Sequence, residues 1–264
     1  MKCTICLLTA FLLLPGLVQA QEKATEETEP KAEQTDTAKS ADTEKAVEIL
    51  RKVDAACKAI HSVKYDTEFK LTGADAAQLG MFKASVIASG WAHGEPEKYY
   101  IDAEFQEPGS TETRKVTLGT DGDMYFAIDH QTKTAHEDID PAVMGRMRQV
   151  FGLAMVIEYL HDTPFNDEIN ARSQELVDDK DIGGEDCYGV RVVYQREGSF
   201  NTTWYVSKKD FLPRSRVDSA TRPDGAQVGR VRTMTNVVAD PKLDEDTFKL
   251  KLPEGYTKTD EFAP

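Results

Sequence analysis

Between Glu44 and Thr72 the apolar positions of this chain change period. Val47, Leu50, Val53, Cys57 and Ile60 recur three or four residues apart, with Lys45, Glu48, Arg51, Asp54 and Lys58 largely opposite, which predicts an amphipathic helix. From Ser62 the period is two. Val63, Tyr65, Phe69 and Leu71 share a row with Thr67, and Lys64, Asp66, Glu68 and Lys70 form the other row. That alternation predicts a strand with one dry and one wet face, and a helix laid on the dry face of the sheet it begins.

The same period recurs downstream, divided by turn residues. Strands are predicted over 81–91, 98–105, 113–118, 124–128 and 134–139, with Gly94-Glu95-Pro96, Pro108-Gly109, Asp121-Gly122 and 130–133 as turns. Asp140-Pro141 then reads as a helix start. The helical pattern runs to about His161, nearly all apolar over 151–157, with Gly152 as the point that would divide it. Five more strands follow over 173–177, 187–195, 201–207, 214–220 and 227–238. With the first strand they make eleven. Short turns imply antiparallel pairing, and one-sided alternation implies a sheet solvated on one face. The fold class expected is mainly β: one curved antiparallel sheet with helices on its concave side.

The termini and charge narrow the setting. Residues 1–20 have the form of a secretory signal: Lys2, an apolar run from Ile5 to Leu14, then Val18-Gln19-Ala20. Ten apolar residues are too few to span a bilayer, and position 21 is Gln, not the Cys of a lipid-anchored leader. Residues 21–43 lack aromatic and large aliphatic residues and read as an acidic disordered linker ahead of a domain over 44–264. The expected setting is exported and periplasmic. A formal net charge of −14 argues against nucleic acid and anionic membranes as partners. Export leaves Cys57 and Cys187, which an oxidising compartment could bridge or which could be two separately buried thiols.

Four segments in order resemble the LolA/LolB-like superfamily of exported lipoprotein carriers and receptors. They are ILRKVDAACKAIHSVKYDTEFKL, VTLGTDGDMYFAIDHQTKTAHE, TTWYVSKKDFLPRSRVDS and DEDTFKLKLPEGYTKTDEF. The resemblance covers about 46–260. It implies an eleven-stranded half-barrel whose helices close the concave side over a cavity for acyl chains or another apolar ligand. The chain departs from the carrier pattern at Glu95-Pro96, since the carriers have a basic residue before that proline, and it lacks the receptor's lipid-attachment Cys.

No motif for catalysis stands out. His61, His93, His130, His136 and His161 show no zinc-enzyme spacing, and His136-Glu137-Asp138 reads as a solvated turn. Nucleophile-elbow and phosphate-loop motifs are absent from the sequence. No metal or cofactor is expected. The candidate ligand surface is apolar: Tyr65, Phe69, Phe82, Val86, Tyr99, Ile101, Met124, Phe126, Val192, Trp204 and Val206 on the concave face, with Met144, Met147, Phe151 and Met155 as a lid. The reading is a monomeric, non-enzymatic binding protein for an apolar or lipidated ligand. The alternative is an interaction or envelope-sensing module with a self-filled core, whose partner is an envelope protein.

Overall fold

Alternation along the chain produces one sheet in which two meanders meet. The computed structural model describes residues 36–90, 96–142, 145, 148–195 and 200–260. The first meander comprises β1 (Ser62–Gly73), β2 (Phe82–Ser89), β3 (Lys98–Gln106), β4 (Thr113–Thr120), β5 (Tyr125–Asp129) and β6 (Thr134–Asp138). The second comprises β7 (Ser173–Ile182), β8 (Glu185–Val193), β9 (Asn201–Ser207), β10 (Pro213–Thr221) and β11 (Gln227–Ala239). β11 returns to pair antiparallel with β1, so the two halves join into a single open half-barrel. A twelfth strand, β12 (Thr257–Lys258), pairs parallel with β6 and brings the total among the described residues to twelve, one more than the periodicity predicts. A two-residue strand carries no alternation to read.

The opening helix α1 runs Asp36–Ala59, so its first turns occupy part of the expected linker. Ala41, Asp42, Glu44 and Lys45 are exposed, and burial along the helix begins at Ala46. Ala46, Ile49, Leu50, Val53, Cys57 and Ile60 form the buried stripe, while Val47 sits at its margin. At about 1.5–3 kcal/mol for each fully buried large aliphatic side chain, this stripe anchors α1 firmly. It packs chiefly against β7, a short helix α3 (Asn166–Ile169) and the turn 157–159, at the end of the sheet away from β2 and β3. The sheet beside β1 is covered instead by α2 (Arg148–Ala154), which touches β1, β2 and β3.

The outer face is wet along β1, where Glu68 pairs with Lys70 and Lys83. Across β4–β6 it is not. There Phe126, Ile128 and Ala135 are buried with Tyr100, Leu250 and Tyr256, making a second, smaller core under the C-terminal segment. Phe126 therefore lies on the opposite face from the one expected, and the concave row of β5 is Tyr125 and Ala127. Register explains the choice: Leu118 opposes Ala127 on the inside and Gly119 opposes Phe126 on the outside. A Cβ at Gly119 would stand 2.3 Å from the Phe126 ring, so the glycine makes room for it.

Candidate functional site

The segment joining the two meanders crosses the concave side, and its course is set by one hydroxyl. Tyr65, 1% exposed, donates to the Ala154 carbonyl at 3.1 Å and accepts from the Val156 N–H at 2.9 Å. Val156 is extended, with φ −107° and ψ 93°, so the expected long helix over 141–161 is broken there rather than at Gly152. The phenol supplies the partners that helical continuation would have supplied, since a buried backbone donor or acceptor left unpaired is costly. Its environment raises the Tyr65 pKa, chiefly through burial.

Three further contacts pin this segment. Arg232 donates to the Gly152 carbonyl at 2.6 Å, Arg216 to Glu158 at 2.8 Å, and the Tyr159 hydroxyl to the Pro213 carbonyl. Beyond the turn, the Phe165 ring meets Trp204 edge-on at 5.0 Å.

Most of the apolar candidates are packed into one another. Tyr65, Val86, Tyr99, Ile101 and Trp204 are at most 1% exposed. Phe151 lies half-buried against Tyr99, their rings 5.0 Å apart, and Met155 is buried beneath Tyr65. Val192 and Val206 are likewise buried in this core. Met124 is half-buried beside the Asp121 turn, whose backbone it bonds. Met144, Met147, His93 and Glu95 lie outside the described residues, as do residues 1–35, over which the leader and most of the linker are expected from the sequence.

Open space remains at the edge of the lid. A groove of about 300 Å³ runs between α2 and the ends of β2–β4, lined by Leu79, Phe82, Phe105, Val116, Val150 and Leu153, with Arg114 and the polar ends of Gln78, Gln106 and Gln149 at its rim. Its size is at the lower end of small-molecule sites, and its composition, apolar walls with a polar rim, is typical of them. Among the described residues, Phe82 is the one sequence candidate on its wall.

The second half of the concave face is charged, which the sequence reading missed. Directly opposed residues share a face. Phe69 opposes Arg232, Arg232 opposes Arg216, and Arg216 opposes Trp204; one step along, Arg230 opposes Asp218 and Asp218 opposes Thr202. Asp218, 2% exposed, accepts from Arg216 at 3.0 Å, Arg230 at 2.6 Å and Thr202 at 2.6 Å. Burial opposes its charge, but Arg216, Thr202 and Arg230 outweigh it and hold the carboxyl below the usual range. Glu168 is pushed up by burial, and the Tyr194 hydroxyl bonds it at 2.7 Å. A pocket of about 470 Å³ lined by Glu158, His161, Glu168, Tyr194 and Arg216 opens beside this cluster. Two valines, Val217 and Val231, oppose each other on the outer face of the same strands, so the usual dry-in, wet-out polarity is reversed here.

Both cysteines are free and buried. Cys57 belongs to the α1 stripe, its thiol pushed up by burial and then by Glu158 and Asp54; Cys187 sits on β8, its thiol pushed up by burial to about 11 and directed to the Glu185 carbonyl. The bridge weighed from sequence is thus not formed, because each thiol points into its own packed neighbourhood. Among the described residues no group of three or more His, Cys, Asp or Glu side chains is arranged to hold a metal ion, and no helix is long and apolar enough to cross a membrane.

No protein-family model and no curated protein sequence matches the chain. Solved structures do. MucB superposes with a TM-score of 0.50 at 10% identity over 79% of this chain, which spans 63% of the MucB chain. LprF from Mycobacterium bovis superposes with a TM-score of 0.50 at 10% identity, covering 81% of this chain and 98% of LprF. At such identity the likeness speaks for architecture alone. The half-barrel, its two meanders and the helices across its concave side are the architecture this chain shares with MucB and LprF.

Proposed function

We propose that the protein is an exported binding or carrier protein for a single apolar chain, such as the acyl group of a lipid or lipoprotein. The groove beneath α2 carries this reading: six apolar side chains line it, it is continuous with the main core, and its roof is a short helix. That roof is joined to the sheet by a handful of hydrogen bonds rather than by strand pairing. Such a roof opens at less cost than a strand leaves a sheet. Tilting α2 away from β2 and β3 would extend the groove toward Tyr99 and Ile101, where Phe151 now fills the space. A leader over residues 1–20 accords with work in a cell envelope.

A second reading has its own support. Tyr65, Val86, Ile101 and Trp204 are buried to 1% exposure or less, as in a core filled by its own side chains. A module of that kind would bind an envelope protein through its rim or outer face.

Titration with a fluorescent long-chain fatty acid separates the two. Saturable binding, displaced better by long chains than by short, is expected of the carrier. Leu153→Trp and Leu79→Trp, both at half-buried positions on the groove wall, should weaken binding while preserving the fold. A folded protein that binds no probe favours the self-filled module.

A further inference from the structure

The groove under α2 and the arginine cluster lie along one cross-strand row. Phe82 opposes Phe105, which opposes Arg114; Phe69, one step beyond the Glu68–Lys83 pair, continues the row to Arg232, Arg216 and Trp204. Aromatic and guanidinium groups stack along it, with Arg114 over Phe105 at 5.7 Å, Arg232 over Phe69 at 5.4 Å and Arg216 over Trp204 at 5.1 Å. α2 roofs both ends, since Val150 and Leu153 line the groove while the Gly152 carbonyl receives Arg232. With neighbouring strands about 4.8 Å apart, Phe82 and Arg232 are separated by roughly 10 Å.

Between Phe69, Arg216, Asp218, Arg230 and Arg232 lies a small pocket of about 90 Å³. Three guanidinium groups face it against one carboxylate. Asp218 engages Arg216 and Arg230, and Glu158 holds Arg216 from the other side. Arg232 has no carboxylate partner among the described residues; its side chain donates to the Gly152 carbonyl, and its Nε is buried without a partner there. Burial works most against its charge; Tyr65 and Glu158 favour it, and Arg216 and Arg230 oppose it. With Arg216, Arg230 and Arg232 against Asp218 and Glu158, a chain of formal charge −14 keeps one more cation than carboxylates at this spot on its concave face. A buried donor left unpaired needs a reason, and an anionic acceptor would meet both Nε and the excess charge.

We propose that this pocket receives the anionic group, a carboxylate or phosphate, of the amphiphile whose apolar chain occupies the groove under α2. The proposal rests on the carrier reading and adds the ligand's chemical class: a single-chain acid, not a neutral lipid. Arg232 is the residue that reads the anion. Asp218 holds Arg216 and Arg230 in place around it, and Phe69 separates the wet end of the site from the dry one.

The test compares a long-chain fatty acid, the matching alkyl phosphate and the matching fatty alcohol, each displacing the fluorescent probe from wild type, Arg232→Gln, Arg232→Lys and the control Arg191→Gln. The acid and phosphate should bind wild type about tenfold or more tightly than the alcohol. Arg232→Gln should remove that preference while alcohol binding persists, Arg232→Lys should retain part of it, and Arg191→Gln, an exposed change away from the groove, should keep it. Alcohol binding also reports that each variant is folded. Displacement by inorganic phosphate alone, with no preference among the amphiphiles, overturns the proposal by showing a free-anion site. Equal binding of acid and alcohol to wild type overturns it while the carrier reading stands, as does loss of the preference in Arg191→Gln as well. Binding of none of the three defeats the carrier reading itself.

Discussion

Replacing Tyr65 by Phe removes a single oxygen and tests how the concave segment is held. That oxygen lies in a buried site and serves two backbone groups, the Ala154 carbonyl and the Val156 N–H. Each net hydrogen bond contributes about 0.5–1.5 kcal/mol, and each buried group left unpaired costs about 1–3 kcal/mol, so a loss of roughly 2–4 kcal/mol is expected after partial relaxation. The ring itself remains, so its packing against Tyr159, 5.3 Å away, is kept. The loss should be local. Strand pairing does not depend on the phenol, whereas the break at Val156 does. Hydrogen exchange on Tyr65→Phe should show faster exchange at Val156 and across 148–160, with amides of β1–β4 unchanged, and a urea titration should give the global part. Fatty-acid uptake should accelerate, because the roof of the groove opens more often. Unchanged protection at Val156 together with a stability change under about 0.5 kcal/mol would refute the assignment of the hydroxyl as the pin.

Gly119→Ala should destabilise the protein by about 1–3 kcal/mol through overpacking against Phe126, and Phe126→Leu in the same chain should recover much of it in urea melts. Cys57 and Cys187 should be inert to a thiol reagent in the native protein and both should react after denaturation without reductant, since burial raises both thiols. Failure of the denatured, leader-free chain to react would show a bridge. The C-terminal segment should loosen in acid. The Thr117 hydroxyl donates to Asp102, which leaves its oxygen to accept from His130 Nε2, while His130 Nδ1 is free to accept from Tyr256. That pattern suits a neutral ring, and burial followed by Lys115 lowers the His130 pKa below 6.5. The folded state therefore binds this proton less readily than the unfolded chain, so the contribution is whole above pH 6.5 and is lost as the pH falls through the folded value. Proteolysis near Tyr256 should rise over that window in wild type and lose its pH dependence in His130→Asn.

Where residue size and alternation agreed, the fold was readable. β1 carries its inner row in Val63, Tyr65 and Phe69, and the structure buries all three. Alternation names two faces but not which is inner, and β5 shows the difference. Met124, Phe126 and Ile128 look like the core row, yet a C-terminal segment over a hundred residues away covers that side. Gly119, opposite Phe126 in register, was the available sign. The break at Val156 left no local mark, because its cause is a hydroxyl on β1. The candidate site was hidden differently. Arg216, Asp218, Arg230 and Arg232 alternate with Val217 and Val231, and charged rows of that kind are ordinarily the wet face. Only the register with Phe69 and Trp204 turns them inward.

Native mass spectrometry of the protein purified from its own cell envelope tests most directly whether the half-barrel is a carrier. A carrier retains its cargo, so the native spectrum should contain a species heavier than the bare chain by one amphiphile. That adduct should vanish on denaturation and be reduced in Leu153→Trp, and its extract should contain a single-chain acid. A bare chain under native conditions, with no adduct formed on adding long-chain fatty acid, would contradict the carrier function.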